Sequence, residues 1–348
     1  MKALRITLSL VCLFALLPFT ASAEEKATIF YFPSDVPDDH WALEEIDDFL
    51  AAEIITGSVS EGEGVIPNVR VQPEGFITRA QFTKMIVNAL NLEAAGSAKS
   101  FPDVNSSAWY YPYVQIATSH GIINGKEDGK FYPNDKINRG QMAAMIYRAF
   151  KDSITFNSTG KTFTDVPPNH WAAKEVNTIA ANEIIKGNGQ LFQPLNFATR
   201  AHGIVMIHRA LRQEDTNLPS DSELKSTLTN HINEERNLLN TSNFNELKSL
   251  YTRDGFGYYR SQGVEITELY QSALDEGDTL RFEPIGDFSV TVEMKSNRYA
   301  KLYVDNLIYK EIYHSSKYGN LEEPADYSND YYLQKDNNGN WKIYNIGF

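Results

Sequence analysis

The sequence predicts a multidomain protein: an all-α block of six helices in three pairs, then an α+β domain with helices first and antiparallel strands after. Three observations carry this. One spacing of Asp, Trp and Gly recurs three times before Arg212. Within each copy the apolar residues fall at helical intervals. After Leu211 the composition shifts towards tyrosine and the apolar period towards two.

The recurring pattern sets an Asp six residues before a Trp and a Gly sixteen residues after it: Asp35, Trp41, Gly57; Asp103, Trp109, Gly125; Asp165, Trp171, Gly187. Each copy then places a Pro six residues before an Arg: Pro73 and Arg79, Pro133 and Arg139, Pro194 and Arg200. A fixed internal period means one structural unit repeated, with neighbours burying a shared core. Each unit opens on a turn segment ending at Asp35-Val36, Asp103-Val104 or Asp165-Val166. A first helix follows, with Ile46, Val114 and Val176 at one core position and Phe49, Ala117 and Ile179 three residues on. An Ile pair precedes each Gly, which is expected to adopt a backbone conformation that other residues avoid.

The second helix of each unit starts at a capping pattern. Thr78-Arg79-Ala80-Gln81 is a capping box, Asn138-Arg139-Gly140-Gln141 a weaker one, and Thr199-Arg200-Ala201-His202 keeps the cap without the reciprocal Gln. Met85, Met145 and Met206, each followed by Ile, then Ala89, Ala149 and Ala210, make a core stripe. The first unit carries extra Glu/Gly-rich residues between Gly57 and Pro73, expected in a surface loop.

The pattern F-x-D-V…W…G-I-I-x-G…F-x-P…I-T-R-A-Q/E, in three copies, resembles the S-layer homology domain. The resemblance implies a pseudo-threefold six-helix prism, with repeats at 27–92, 98–152 and 160–212. It also implies a function: binding secondary cell wall polymers, typically pyruvylated ones, on the peptidoglycan of Gram-positive and related bacteria. The implied polymer-binding residues, in grooves between repeats, are Arg79, Arg139, Arg200, Asp35, Asp103, Asp165, Trp41, Trp109, Trp171, Gly57, Gly125 and Gly187. The chemistry suits those types. Arg at a helix start offers a planar double donor beside free N–H groups, and a Trp face suits the C–H side of a sugar. Here the motif's Glu is Gln81, Gln141 and His202, so the third copy departs most. A plainer reading stands beside each type: Arg as a salt-bridge partner, Trp as a core pin, Asp as a turn cap. His40 and His170, each before a Trp, read as helix-start residues.

The remaining features bound the setting. Residues 1–23 read as a secretory leader: Lys2 and Arg5, an apolar run too short to span a bilayer, then Ala21-Ser22-Ala23. Cys12, the one cysteine, lies in that run, so no disulfide or thiolate metal site is expected afterwards. The net charge is −13, so binding to nucleic acid or an anionic membrane through the overall field is not expected.

Residues 213–220 read as a linker and 221–348 as the α+β domain, with 13 of the 19 tyrosines. Helices are expected over 224–239, 244–251 and 267–274. Strands are expected through Phe288–Met294, Ala300–Val304, 331–335 and 341–346. The order resembles the nuclear-transport-factor-2-like or cystatin-like cone folds, which host both enzymes and binding modules. No metalloprotease, nucleophile-elbow, P-loop or dinucleotide motif is present, and Asp336 with Asn338 and Asn340 departs from a calcium loop. No cofactor or metal is expected. The reading is a non-catalytic wall anchor carrying a binding domain. The alternative is a wall-associated enzyme with a catalytic C-terminal domain, and a structural S-layer subunit ranks third. A buried ionisable pair inside a pocket of the C-terminal domain, an Asp or Glu near His or Tyr with a perturbed pKa, would favour the enzyme, and a pocket lined only by Tyr and aliphatic side chains would favour binding.

Overall fold

The computed structural model describes residues 33–60, 68–157 and 161–347. The expected leader, with Cys12, lies outside the described residues, as does part of the Glu/Gly-rich insertion. The described chain divides into two compact units, one running to Leu218 and including Ser296–Arg298, the other made of Pro219–Lys295 and the chain from Tyr299 on.

The first unit holds six helices: α1 (Leu43–Ala51), α2 (Arg79–Ala89), α3 (Tyr111–Ser119), α4 (Arg139–Phe150), α5 (Ala173–Ala181) and α6 (Arg200–Leu211). They pair between repeats. The first helix of each repeat packs on the second helix of the repeat before it: α3 on α2, α5 on α4, and α1 back on α6. The second helices α2, α4 and α6 also touch one another. The core stripe read from the sequence is there: Ile46, Val114, Val176, Ile86, Ile146 and Ile207 are all fully buried.

Backbone bonds close the arrangement into a cycle. Ile77 N–H donates to Ala198, Ala198 to Ile137 and Ile137 to Ile77, at 3.2, 3.0 and 3.0 Å. Around this ring, Arg79 N–H reaches Asp135 O, Arg139 N–H reaches Asn196 O and Arg200 N–H reaches Gly75 O, each at 2.9 Å. The orphan donors at three helix starts are thus satisfied by the next repeat. The α1–α6 closure is distinct in chemistry. Asp48 of α1 is buried and meets Arg212 Nη2 at 2.7 Å and His208 Nε2 at 3.1 Å; the corresponding residues of the other first helices are Ile116 and Thr178.

Two expectations need revision. The insertion is flanked by a short antiparallel pair, β1 (Ser58–Ser60) and β2 (Asn68–Arg70), rather than being loop throughout. The segment expected as a linker is bound into the helical unit: Asp215 N–H donates to Ser153 O at 3.0 Å, and its carboxylate accepts from Thr155 N at 2.9 Å.

The second unit has three helices, α7 (Asp221–Asn240), α8 (Phe244–Asp254) and α9 (Gly257–Asp275). Two antiparallel sheets follow, with strand orders β3-β6-β7 and β4-β5-β8-β9. The strands are β3 (Thr279–Ile285), β4 (Ser289–Lys295), β5 (Tyr299–Asp305), β6 (Ile308–Ser315), β7 (Gly319–Asp326), β8 (Asn329–Lys335) and β9 (Trp341–Ile346). Ala300, Leu302 and Val304 share a buried face, as the alternation implies, whereas β4 carries a bulge between Val292 and Met294. The core joins the sheets to Leu224, Leu228 and Ile232 of α7 and Leu247 and Leu250 of α8. Asp336 closes the last hairpin by accepting from Asn338 N and Asn340 N at 2.9 and 2.8 Å.

Candidate functional site

Each repeat-specific Asp grips two successive backbone N–H groups. Asp35 accepts from Val71 and Gln72 at 2.8 Å each, Asp103 from Phe131 at 2.9 Å and Tyr132 at 2.6 Å, and Asp165 from Phe192 at 2.8 Å and Gln193 at 2.6 Å. The second partner in each case, Gln72, Tyr132 or Gln193, has a φ of 56–59°, the left-handed region that costs residues with a side chain. Both carboxylate oxygens are therefore engaged in holding a strained turn ahead of Pro73, Pro133 and Pro194.

The three Gly positions close the same turns. A Cβ on Gly57 would sit 2.9 Å from Val69 Cγ1, on Gly125 2.5 Å from the Phe101 ring, and on Gly187 2.3 Å from the Phe163 ring. Gly57 and Gly125 have φ of +62° and +81°. Gly187 is not among the positive-φ glycines, so the conformational expectation fails there. Lack of space explains Gly187 instead.

The Arg side chains reach across repeat boundaries. Arg79 Nε donates to Phe131 O at 2.8 Å, with its guanidinium 5.0 Å from the centre of that ring. Arg139 repeats this on Phe192 at 2.9 and 4.9 Å, and its Nη2 adds Lys186 O at 2.9 Å. The corresponding residue facing Arg200 is Val71, which offers no ring. Arg200 Nε is buried and has no hydrogen-bond partner among the described residues. Burial lowers the pKa of all three guanidiniums, opposed by Asp135 and Asp103 at Arg79, Asp165 at Arg139 and Asp35 at Arg200. They stay cationic, since an Arg pKa starts far above neutrality. None forms a direct ion pair with a carboxylate among the described residues, so the salt-bridge reading does not describe them.

The Trp residues are not core pins. Trp41, Trp109 and Trp171 are 52, 52 and 55% exposed. Each precedes a first helix and so stands by the second helix of the preceding repeat. Trp41 lies 5.5 Å from the His202 ring, and a Cβ on Gly140 would come 3.4 Å from Trp171. Gly140, which costs helix propensity, also lets Pro194 and Trp171 close over the start of α4. At two of the boundaries a half-exposed indole, Trp171 or Trp41, thus stands beside the start of the helix that carries Arg139 or Arg200; Arg79 is buried, and Arg139 and Arg200 are half-buried.

His202 completes a capping box that its sequence alone did not reveal. Its N–H donates to Thr199 Oγ1 and its Nδ1 accepts from Thr199 N, both at 3.3 Å. Burial, then the charge of Arg139, lowers its pKa, which favours the neutral ring that this acceptor role requires. His40 and His170 accept at Nδ1 from Ala42 N and Ala172 N at 3.2 Å, as helix-start residues do.

The second unit contains a polar cluster that sequence spacing could not locate. Asp254 Oδ2 lies 3.1 Å from His231 Nδ1, and His231 Nε2 2.7 Å from the Tyr259 hydroxyl. Tyr251 donates to buried Glu235 at 2.6 Å. Burial, then Glu235, raises the pKa of the Tyr251, Tyr259 and Tyr331 phenols. The cluster is closely packed: a Cβ on Gly263 would be 2.4 Å from the Tyr251 ring. A separate cleft of about 360 Å³ is lined by Ser242, Leu274, Thr279, Leu280, Arg281, Ile312 and His314, none of them in the cluster. Among the described residues no group of His, Cys, Asp and Glu is arranged to hold a metal.

Known proteins share the repeat. The S-layer homology domain profile matches residues 100–143 and 162–202. An endoglucanase of Bacillus sp. (strain KSM-635) is 32% identical over 218 residues, covering 60% of this chain and 22% of that protein. The S-layer protein sap of Bacillus anthracis is 29% identical over 203 residues, 58% of this chain and 24% of its own. A cellulosome-anchoring protein of Acetivibrio thermocellus is 28% identical over 158 residues, 43% of this chain and 35% of its own. The chain thus spans only about a quarter of the length of the first two. It carries S-layer homology domains, which are surface anchors, and is a secreted protein of the cell wall and surface.

Proposed function

We propose that the helical unit is a pseudo-threefold prism of three such repeats, and that it holds the protein on the wall. The ligand is an anionic, pyruvylated secondary wall polysaccharide seated in the grooves between repeats. The observation that carries this is the half-exposed Trp of each repeat together with Arg side chains that are buried (Arg79) or half-buried (Arg139, Arg200) and lack a direct carboxylate partner among the described residues. A ketal carboxylate supplies the missing anion, and the indole takes the sugar's C–H face. The Asp and Gly positions act one step back, by fixing the turns that carry these groups. Three grooves on one scaffold raise avidity for a repeating polymer. Arg79→Ala should weaken retention on native walls by roughly tenfold while helicity is kept. Removing pyruvate ketals from the walls should abolish retention. Undiminished binding to stripped walls would remove the carboxylate from the mechanism.

The C-terminal unit is proposed as a binding domain. The Asp254–His231–Tyr259 chain favours a second reading, in which that unit is an enzyme and the helical unit only its anchor. The binding reading stands first because the chain is packed rather than open. His231→Ala separates the two: loss of a wall-hydrolysing activity without loss of fold would establish the enzyme.

A further inference from the structure

The residue three positions before each repeat Arg is Phe76, Lys136 or Phe197. These three converge where the second helices begin. Phe76 and Phe197 are 50 and 51% exposed, with ring centres 5.8 Å apart in an edge-on arrangement. The Lys136 ammonium lies 4.3 Å from the centre of the Phe76 ring and 5.7 Å from that of Phe197. The backbone beneath is fixed, because Ile77, Ile137 and Ala198, one residue further along each chain, form the cyclic hydrogen-bonded ring.

Single exposed apolar residues need no explanation. Two rings at equivalent positions, gathered around one cation, are a different case. Lys136 forms no ion pair among the described residues, in a chain whose net charge is −13. The ammonium is held near both rings by cation–π attraction while it keeps its charge. The aromatic faces carry negative quadrupole density, which suits the slightly positive C–H face of a sugar ring. The three together fit an acidic sugar lying flat, its ring over a phenyl and its anion on the ammonium.

We infer that Phe76, Lys136 and Phe197 form an additional saccharide platform, on the axis of the helical unit, for an acidic sugar of the wall polymer. This rests on the wall-polymer reading and extends it. The polymer would not end in one groove but would cross the axis from one repeat boundary towards another.

The test is a binding isotherm of the full chain on purified, protein-free wall polymer. Phe76→Ala/Phe197→Ala should bind roughly tenfold more weakly with unchanged circular dichroism, and Phe76→Tyr/Phe197→Tyr, which keeps the ring faces, should bind like the parent. Lys136→Gln should weaken binding less and reduce its salt dependence. If Arg79→Ala weakens binding while the double Ala variant matches the parent, the groove reading stands and the axial platform is overturned. If the parent chain itself ignores the polymer, both are overturned.

Discussion

Asp103→Ala asks whether the turn carboxylates hold the backbone or the ligand. The parent Asp103 accepts from Phe131 N at 2.9 Å and Tyr132 N at 2.6 Å. Tyr132 sits at φ 59°, and the next residue, Pro133, accepts from Ala80 N at 2.9 Å across the repeat boundary. Removing the carboxylate deletes two charge-assisted bonds, each contributing about 1.5–3 kcal/mol when buried, which hold Tyr132 in its left-handed conformation. The site is half-buried, so the low end applies: a loss of about 3 kcal/mol in the helical unit. For a unit of this size that is a fall of roughly 6–12 °C in Tm. Thermal unfolding followed by tryptophan fluorescence reads it, since Trp41, Trp109 and Trp171 report on the helical unit. Wall retention measured well below the new Tm should be close to that of the parent. A Tm within about 2 °C of the parent, with retention lost, would refute the clamp and make Asp103 a ligand contact.

Two further outcomes follow from the same geometry. Burial, then neighbouring Asp48, raises the Asp47 pKa from 3.8 to about 6. The unfolded chain therefore loses this proton first, and stability falls as pH rises through that interval. Asp47→Asn should stabilise by about 1 kcal/mol at pH 7.5, allowing for partial exposure, and by nothing at pH 3.5; an equal gain at both would refute the assignment. The neutral Gln115 and Asn177 hold the matching positions in the other repeats. Gly187→Ala brings a Cβ to 2.3 Å from Phe163 and 2.6 Å from Leu191 O, whereas Gly189 has open space and a φ of +59°. Urea unfolding should show a loss of about 2–3 kcal/mol for the first and about 1 kcal/mol for Gly189→Ala; equal losses would refute the packing argument.

The helical unit was largely legible because its signals are local and repeated. Helix starts, core stripes and the Asp–Trp–Gly spacing all recur within a few tens of residues. What was not legible depended on contacts made elsewhere. His202 serves as a capping partner only because its ring nitrogen reaches Thr199 N, and the Trp residues are exposed because each precedes a helix that packs on another repeat. In the second unit, β3 alternates only through Leu280 and Phe282 before Pro284, β7 carries Pro324, and β6 turns Glu311 into the core, so the apolar alternation is short or broken in all three. The start of α9 was hidden by Gly257 and Gly263; Gly263 is needed because Tyr251 packs directly over it. The pairing of His231 with Asp254 and Tyr259 spans 23 and 28 residues and leaves no mark in the spacing.

The return of α1 to α6 has a consequence for how the chain is made. Asp48 and its partner Arg212 are 164 residues apart, and the ring through Ile77 needs Ala198 before it can close. In an open solenoid each repeat can settle on the last as it emerges. Here α1 of the first repeat lacks its packing partner α6 until the third repeat is present. Completion of the helical unit is thereby deferred until the third repeat is present and is governed by its longest loop closure. The same closure leaves the finished unit without a free end repeat from which unravelling could begin.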